Sequence, residues 1–352
     1  MVHLRCQIPH GLHMTLCTIV AHILFIEIVY LGRAQETPPA CYTLDTGNDG
    51  FGAQFHRAMA AYAYAVHHRS NYCFRGFPEM DALTSTNNSK QPEEQLRMHQ
   101  RITGFQVGDC SGCRFIPQMY EEIEAGRARV YTHQVLKTLR LKYHAAAARE
   151  GILYPSYFRP GRTNVAVHYR LGWDAPSGTA RTLDIPIVLR TIEWIKVRWP
   201  DANIHLFSMD VRRGFEALVR AGAQLHINED LSLSFHAFVA ADVLVLSPSD
   251  FSYAAGILQE GHVLYFPMWF NPLPHWNWNV VYTSLNMMND CRICDLYKVP
   301  NSSAFRHTHH YIELERGLCN GTTAARICAP SGCRCCAGTQ CAPFTKHAPP
   351  QP

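Results

Sequence analysis

Five short apolar runs alternate with four helical stretches along one continuous region of the chain. The strand-like runs are Val165–Tyr169, Ile204–Ser208, Gln224–Ile227, Val243–Leu246 and Val263–Phe266. Between them, Leu183–Arg198, Arg213–Ala221, Leu231–Ala241 and Tyr253–Gln259 carry helical patterning. A parallel sheet with helices on both faces satisfies this alternation, because short crossovers between parallel strands permit little else. Strands covered on both faces should be apolar throughout. The first is an exception: NVAVHYRLGWD, Asn164 to Asp174, leads out of its apolar run into His168 and Arg170. Ligands in such sheets sit beyond the carboxyl ends of the strands, which is where the exception falls.

The chain before this region is less regular. From Cys41 to about Tyr154 a glycine-rich turn leads into a helical run over Ala53–Arg69. A polar loop, TSTNNSKQPEE, follows, and a second helix is expected near His133–Glu150. YPSYFRPGRT (Tyr154–Thr163), with two prolines and a glycine, reads as a linker. Regularity fades after about Trp278. The expected division is a leader over 1–34, a first domain over 41–155, a second over 160–290 and a cysteine-rich tail over 291–352.

The leader contains MTLCTIVAHILFIEIVYL, Met14 to Leu31, interrupted only by His22 and Glu27. Arg5 precedes it, and Gly32-Arg33-Ala34 places small residues two apart, as at a signal-peptidase site. Two readings stay open, a cleaved signal peptide and a single membrane anchor. Glu27 weighs against a span, since a charge near the bilayer centre costs ~2.5–3.5 kcal/mol on insertion scales; a buried helix is the third reading. Fourteen cysteines suit an oxidising compartment. Sequons at Asn87, Asn301 and Asn320 agree with a secretory route. Six cysteines between Cys319 and Cys341 occupy a stretch too short for its own apolar core, so disulfides are expected there. Cys110-x-x-Cys113 and Cys291-x-x-Cys294 have zinc-like spacing, but a secretory address favours disulfides, and no thioredoxin-like strand and helix flank the first pair. A net charge of +4, scattered along the chain, gives no basis for nucleic-acid binding. The twenty histidines form no HExxH or finger-like spacing, and no metal is expected.

Three stretches fall where an α/β sheet holds a ligand. LDTGNDGFGAQ brings Gly47, Gly50 and Gly52 to a strand-to-helix turn, where glycines let backbone amides approach a bound group, or simply make a tight turn. His168 and Arg170 alternate onto one face, and an arginine there can grip a phosphate through paired hydrogen bonds. ADVLVLSPSDFSYAAGILQEG runs from a strand through Ser247, Ser249, Asp250 and Ser252 into a helix. Hydroxyls and free amides at a helix start suit an anion. Capping alone accounts for one of these residues better than for the cluster.

GFGAQFHRAMAAYAYA, VAVHYRLGWD, ANIHLFSMD and ADVLVLSPSDFSYAAGIL, in that order, resemble the GDP-fucose-dependent fucosyltransferases, the broad group holding the α1,2-, α1,6- and protein O-fucosyltransferases. The resemblance covers roughly residues 47–65 and 164–269. It implies an α/β fold of two Rossmann-like domains facing a cleft (GT-B-like), with the cysteine-rich tail appended. It implies transfer of fucose from GDP-fucose, the donor substrate, to a glycan or glycoprotein acceptor with inversion and without a cofactor. The address it implies is a Golgi membrane with the catalytic domain in the lumen, or secretion if the leader is cleaved. Carried over residue by residue, Arg170 matches the arginine that clamps the donor's β-phosphate, and His168 the histidine beside the nucleotide. Ser249, Phe251 and Ser252 match the segment lining pyrophosphate and fucose. Asp210 and Asp242 are candidates for reading the guanine edge, while Gly50, Phe51 and Gly52 would lie across the cleft. Where the family has H-x-R-R-G-D, this chain has Leu171 for the second arginine, then Gly172, Trp173 and a late Asp174. Asp49 and Asp174 are the candidate bases. A related transferase for another nucleotide sugar, and a non-catalytic extracellular glycan-binding protein, are the alternatives.

Overall fold

The computed structural model describes residues 40–45, 47, 50–77, 93–116, 130–170, 182–211, 214–266, 268, 270, 272–273, 275, 277–282 and 310–313. By its contacts the chain divides into Met1–Ala40 and Cys41–Pro352, and every element below belongs to the second unit. The apolar leader segment, the three sequons and the tail cysteines lie outside the described residues. Among the described residues no helix is long and apolar enough to cross a membrane.

The unit opens with β1 (Cys41–Thr43), α1 (Phe51–His67), β2 (Asn71–Cys73), α2 (Glu93–Ile102), β3 (Arg114–Phe115) and α3 (His133–Arg149). The three strands form a small parallel sheet in the order β2-β1-β3. Strands of two or three residues are too short to show a period of two, which is why the sequence pattern passed over β2 and β3. Two disulfides, Cys41–Cys113 and Cys73–Cys110, tie this sheet to the segment before β3. The Cys110-x-x-Cys113 pair is therefore bonded outward, each sulfur to a distant partner. Cross-links closing loops of this length stabilise by about 4 kcal/mol each in the chain-entropy account. Helix α3 starts at a capped end, where Thr132 accepts from the amide of Val135.

The second sheet contains all five strands expected from the alternation: β4 (Asn164–His168), β5 (Asn203–Ser208), β6 (Ala223–Ile227), β7 (Val243–Val245) and β8 (His262–Tyr265). Between them lie α4 (Ile185–Arg198), α5 (Phe215–Arg220), α6 (Leu231–Ala240) and α7 (Asp250–Leu258). Two further strands, β9 (Trp278–Tyr282) and β10 (His310–Glu313), continue the sheet where the sequence pattern fades. Every pairing is parallel, in the order β10-β9-β8-β7-β4-β5-β6. The chain runs outward from β4 to β6, then returns to place β7 on the other side of β4. Connections diverge at that point, so a crevice opens between the carboxyl ends of β4 and β7.

Alternation along the strands sends side chains to two separate cores. Val165, Val167, Ile204, Leu206, Val243 and Val245 pack with Ile187, Val188 and Ile192 of α4 and with Phe215 and Leu218 of α5. On the other face, Ala166, Phe207, Leu244 and Leu246 pack with Phe235 and Phe238 of α6, Tyr253 of α7, and Phe51, Phe55 and Met59 of α1. The expected boundary at 155–160 falls within a unit whose second core joins residues from both sides of it. Helix α7 starts at Asp250, three residues before the apolar pattern alone indicates, because Ser249 caps it.

Candidate functional site at the β4–β7 crevice

The polar end of β4 is held by the serine-rich turn after β7. The backbone amide of Arg170 donates to Ser247 Oγ at 3.1 Å, and its guanidinium Nη1 donates to Ser249 Oγ at 2.9 Å. Ser249 also accepts from the amide of Phe251 at 3.4 Å. That hydroxyl therefore accepts from the guanidinium and from the first turn of the helix at once. Ser252 has a different task. Its Oγ accepts from the amide of Ser247 at 3.3 Å and lies 3.2 Å from the carbonyl of Ser247 and 3.4 Å from that of Ser249, closing the turn on itself. All three serines are fully buried. One serine pins the strand end, one holds the arginine and caps the helix, and one shapes the turn.

His168, two residues before Arg170, is partly buried between the rings of Phe238 and Phe251, at centroid distances of 5.3 and 5.7 Å. Burial, and then the positive charge of Arg170, push its pKa down to about 3. The imidazole is therefore neutral at physiological pH and offers a hydrogen bond but no charge. Its Nδ1 is buried and has no hydrogen-bond partner among the described residues.

Two helices point their amino ends at this place. Helix α1 begins at Gly50, whose extended backbone carries no side-chain cap, and α7 begins at Ser249. They cross at Gly52: a Cβ there would lie 2.3 Å from the Cα of Phe251. The glycine expected to let amides reach a ligand is thus needed for contact between helices, and Phe51 beside it is core, 1% exposed against Phe235 and His99. Two converging helix amino termini and one arginine thus face the crevice, with the carboxylate of Asp250 in the first turn of α7 beside them. One consequence is testable. Gly52→Ala should force α1 away from α7, lowering the unfolding midpoint and weakening anion binding together. A variant with the wild-type melting curve would contradict the packing account.

Not every expected residue arrives here. Asp242 stands before β7, at the amino edge of the sheet, where its carboxylate accepts from the amide of Asn164 at 2.7 Å. Five residue steps of extended chain separate it from Ser247, about 16 Å at the usual rise, so it stands at the opposite edge of the sheet from the crevice. Asp210 does lie on the carboxyl edge, exposed, just beyond β5. Asp49, Leu171, Trp173 and Asp174 lie outside the described residues. The sequence reading missed the buried His56 of α1, whose Nδ1 is 3.8 Å from the carboxylate of Asp250. Nothing marked it except its place one turn beyond Gly52. Arg140 was also missed: from α3 it donates to the carbonyls of Leu258 and Gln259 at 2.9 and 2.7 Å, capping the far end of α7.

No protein-family model matches the sequence, and no curated protein matches it either. Among solved structures the chain is similar to fucosyltransferases. The fucosyltransferase NodZ from Bradyrhizobium is 13% identical with a TM-score of 0.35, over 64% of this chain and 94% of that one. NodZ α-1,6-fucosyltransferase co-crystallized with GDP is 12% identical with a TM-score of 0.36, over 64% and 94%. POFUT1 in complex with GDP-fucose is 11% identical with a TM-score of 0.31, over 65% and 96%. Likeness this slight carries no functional weight, and the reading below rests on the residues themselves.

Proposed function

We propose that the protein is a glycosyltransferase that moves fucose from GDP-fucose to a glycan or glycoprotein acceptor with inversion. The observation that carries this reading is the hydrogen bond from Arg170 to Ser249 at the amino end of α7, on the switch point of a parallel sheet. Breaking a sugar–phosphate bond builds negative charge on the departing diphosphate. A fixed guanidinium and two helix amino termini are arranged to stabilise such charge without reorganising. That the diphosphate belongs to GDP-fucose is supported by the ordered motif resemblance. On this reading residues 41–155 and 160–290 act as two halves of one catalytic body, and Ser249, Phe251 and His168 line the donor. Neutral His168, with an unpartnered nitrogen, suits a nucleotide edge better than a phosphate. Cysteine content and sequons support a lumenal or secreted address.

A thermal-shift screen of GDP, GDP-fucose, GDP-mannose and UDP tests the reading, followed by hydrolysis and transfer assays with whatever binds. GDP and GDP-fucose should both raise the unfolding midpoint, and UDP should not. Stabilisation by GDP but by no GDP-linked sugar counts against transfer of any such sugar. Silence toward all four favours the glycan-binding alternative.

A further inference from the structure

We infer that Asp210 binds the ribose diol of the nucleotide, so that it reads the sugar and leaves the guanine edge to other groups. The inference rests on the nucleotide reading above and concerns how the nucleotide lies across the sheet.

The starting point is register. His168 of β4 pairs with Phe207 of β5, and the amide of Tyr169 donates to the carbonyl of Phe207 at 2.8 Å, so the two strands finish side by side. Arg170 stands two residues beyond the paired position on one strand, and Asp210 three beyond it on the other. Neighbouring strands are about 4.8 Å apart, which is the scale separating a phosphate from the ribose it esterifies. A diphosphate held at Arg170 therefore brings its ribose over the end of either β5 or β7, the two neighbours of β4, depending on which way the nucleotide turns.

The two directions differ in chemistry. Beyond β7, Leu246, Ser247 and Ser249 are fully buried, and the two serines are taken up in holding Arg170. Beyond β5, Met209 and Val211 are 45% and 57% exposed, with the carboxylate of Asp210 between them. Several other acidic groups described on that edge are hydrogen-bonded within the fold. Glu229 accepts from Tyr157 and Ser234 and lies 3.5 Å from His226. Asp230 caps α6 through the amides of Ser232 and Leu233, and Glu216 accepts from the amide of Gly214. Asp250 lies 3.8 Å from His56 in the first turn of α7, and Asp184 precedes α4 without a capping bond; these helices follow β7 and β4, not β5. Among the described residues, Asp210 accepts from its neighbour, the amide of Val211, on one oxygen at 2.7 Å. An acidic side chain ending the strand next to the central one is also where sheets of this order hold ribose hydroxyls. A carboxylate with an open oxygen accepts two vicinal O–H groups well.

Titration calorimetry with GDP, 2′-deoxy-GDP and IDP on wild type, Asp210→Asn and Asp210→Ala tests this; IDP lacks the exocyclic amine of guanine and keeps the diol. Wild type should bind 2′-deoxy-GDP roughly 10- to 100-fold more weakly than GDP. Both variants should bind GDP at about that weakened level, make no distinction between GDP and its deoxy form, and keep the wild-type preference for GDP over IDP. Melting curves identify a folded variant, and the near-isosteric asparagine serves if alanine does not fold. Survival of the deoxy preference in the variants overturns the inference. So does loss of the IDP preference in its place, which would make Asp210 a base reader. Failure of wild type to bind any of the three removes the nucleotide reading as a whole, and this inference with it.

Discussion

Arg170→Ala should lower fucosyl transfer by about 10²- to 10³-fold, the usual cost of removing one preorganised donor from a developing anion. The fold should survive. Ser249 keeps its capping bond from Phe251, Ser247 keeps its bond from the backbone amide at position 170, and neither depends on the guanidinium. Arg170→Lys should fall nearly as far, because an ammonium cannot reproduce a planar fork that engages Ser249 and a phosphate at once. Single-turnover rates measured beside circular-dichroism melts decide the matter. Near-normal turnover in a folded alanine variant would sink the proposed role.

The second large effect is on stability in acid. Four imidazoles have pKa values held far below the ordinary 6.5, chiefly by burial. His99, His205 and His236 are lowered to about 4, and His168 to about 3. Secondary influences differ. Asp230 opposes the shift at His99, while His226 adds to it at His205 and His144 at His236. A depressed folded-state pKa means that the unfolded chain takes up the proton first. Stability from these groups is complete above pH 6.5 and is lost as pH falls toward 3–4. Each can contribute up to about 1.4 kcal/mol per pH unit within that window. Chemical denaturation between pH 7.5 and 4 should therefore show a steep, monotonic fall beginning near pH 6.5, shallower in a His99→Gln protein. A profile flat to pH 4.5 would show that these rings are solvated or already charged.

How much of this was legible beforehand depends on length and period. Strands β4 to β8 and their helices follow from apolar runs that repeat often enough to fix a parallel sheet. The candidate anion site was also readable, since a buried strand ending in His168 and Arg170 and a turn rich in serine both violate their local pattern. The small sheet was not, because β2 and β3 are too short to have a pattern. The placing of Asp242 depends on the strand in a related way. In the sequence it adjoins the serine-rich turn, but β7 lies between them and carries the two to opposite edges of the sheet.

Gly52 shows the same division at one residue. The sequence marks it as a place without a side chain, and local chemistry offers a ligand or a tight turn as the cause. Only the crossing of α1 over Phe251 shows a third, the approach of one backbone to another. By itself the sequence determined the alternation, the parallel sheet and the identity of the groups at its polar edge, because these depend on neighbours along the chain. The tertiary structure decided which serine holds the arginine, which edge of the sheet each aspartate falls on, and that two helices aim their amino ends at one crevice. Those outcomes depend on strand order and register, which bring together residues about eighty positions apart and are written in no local pattern.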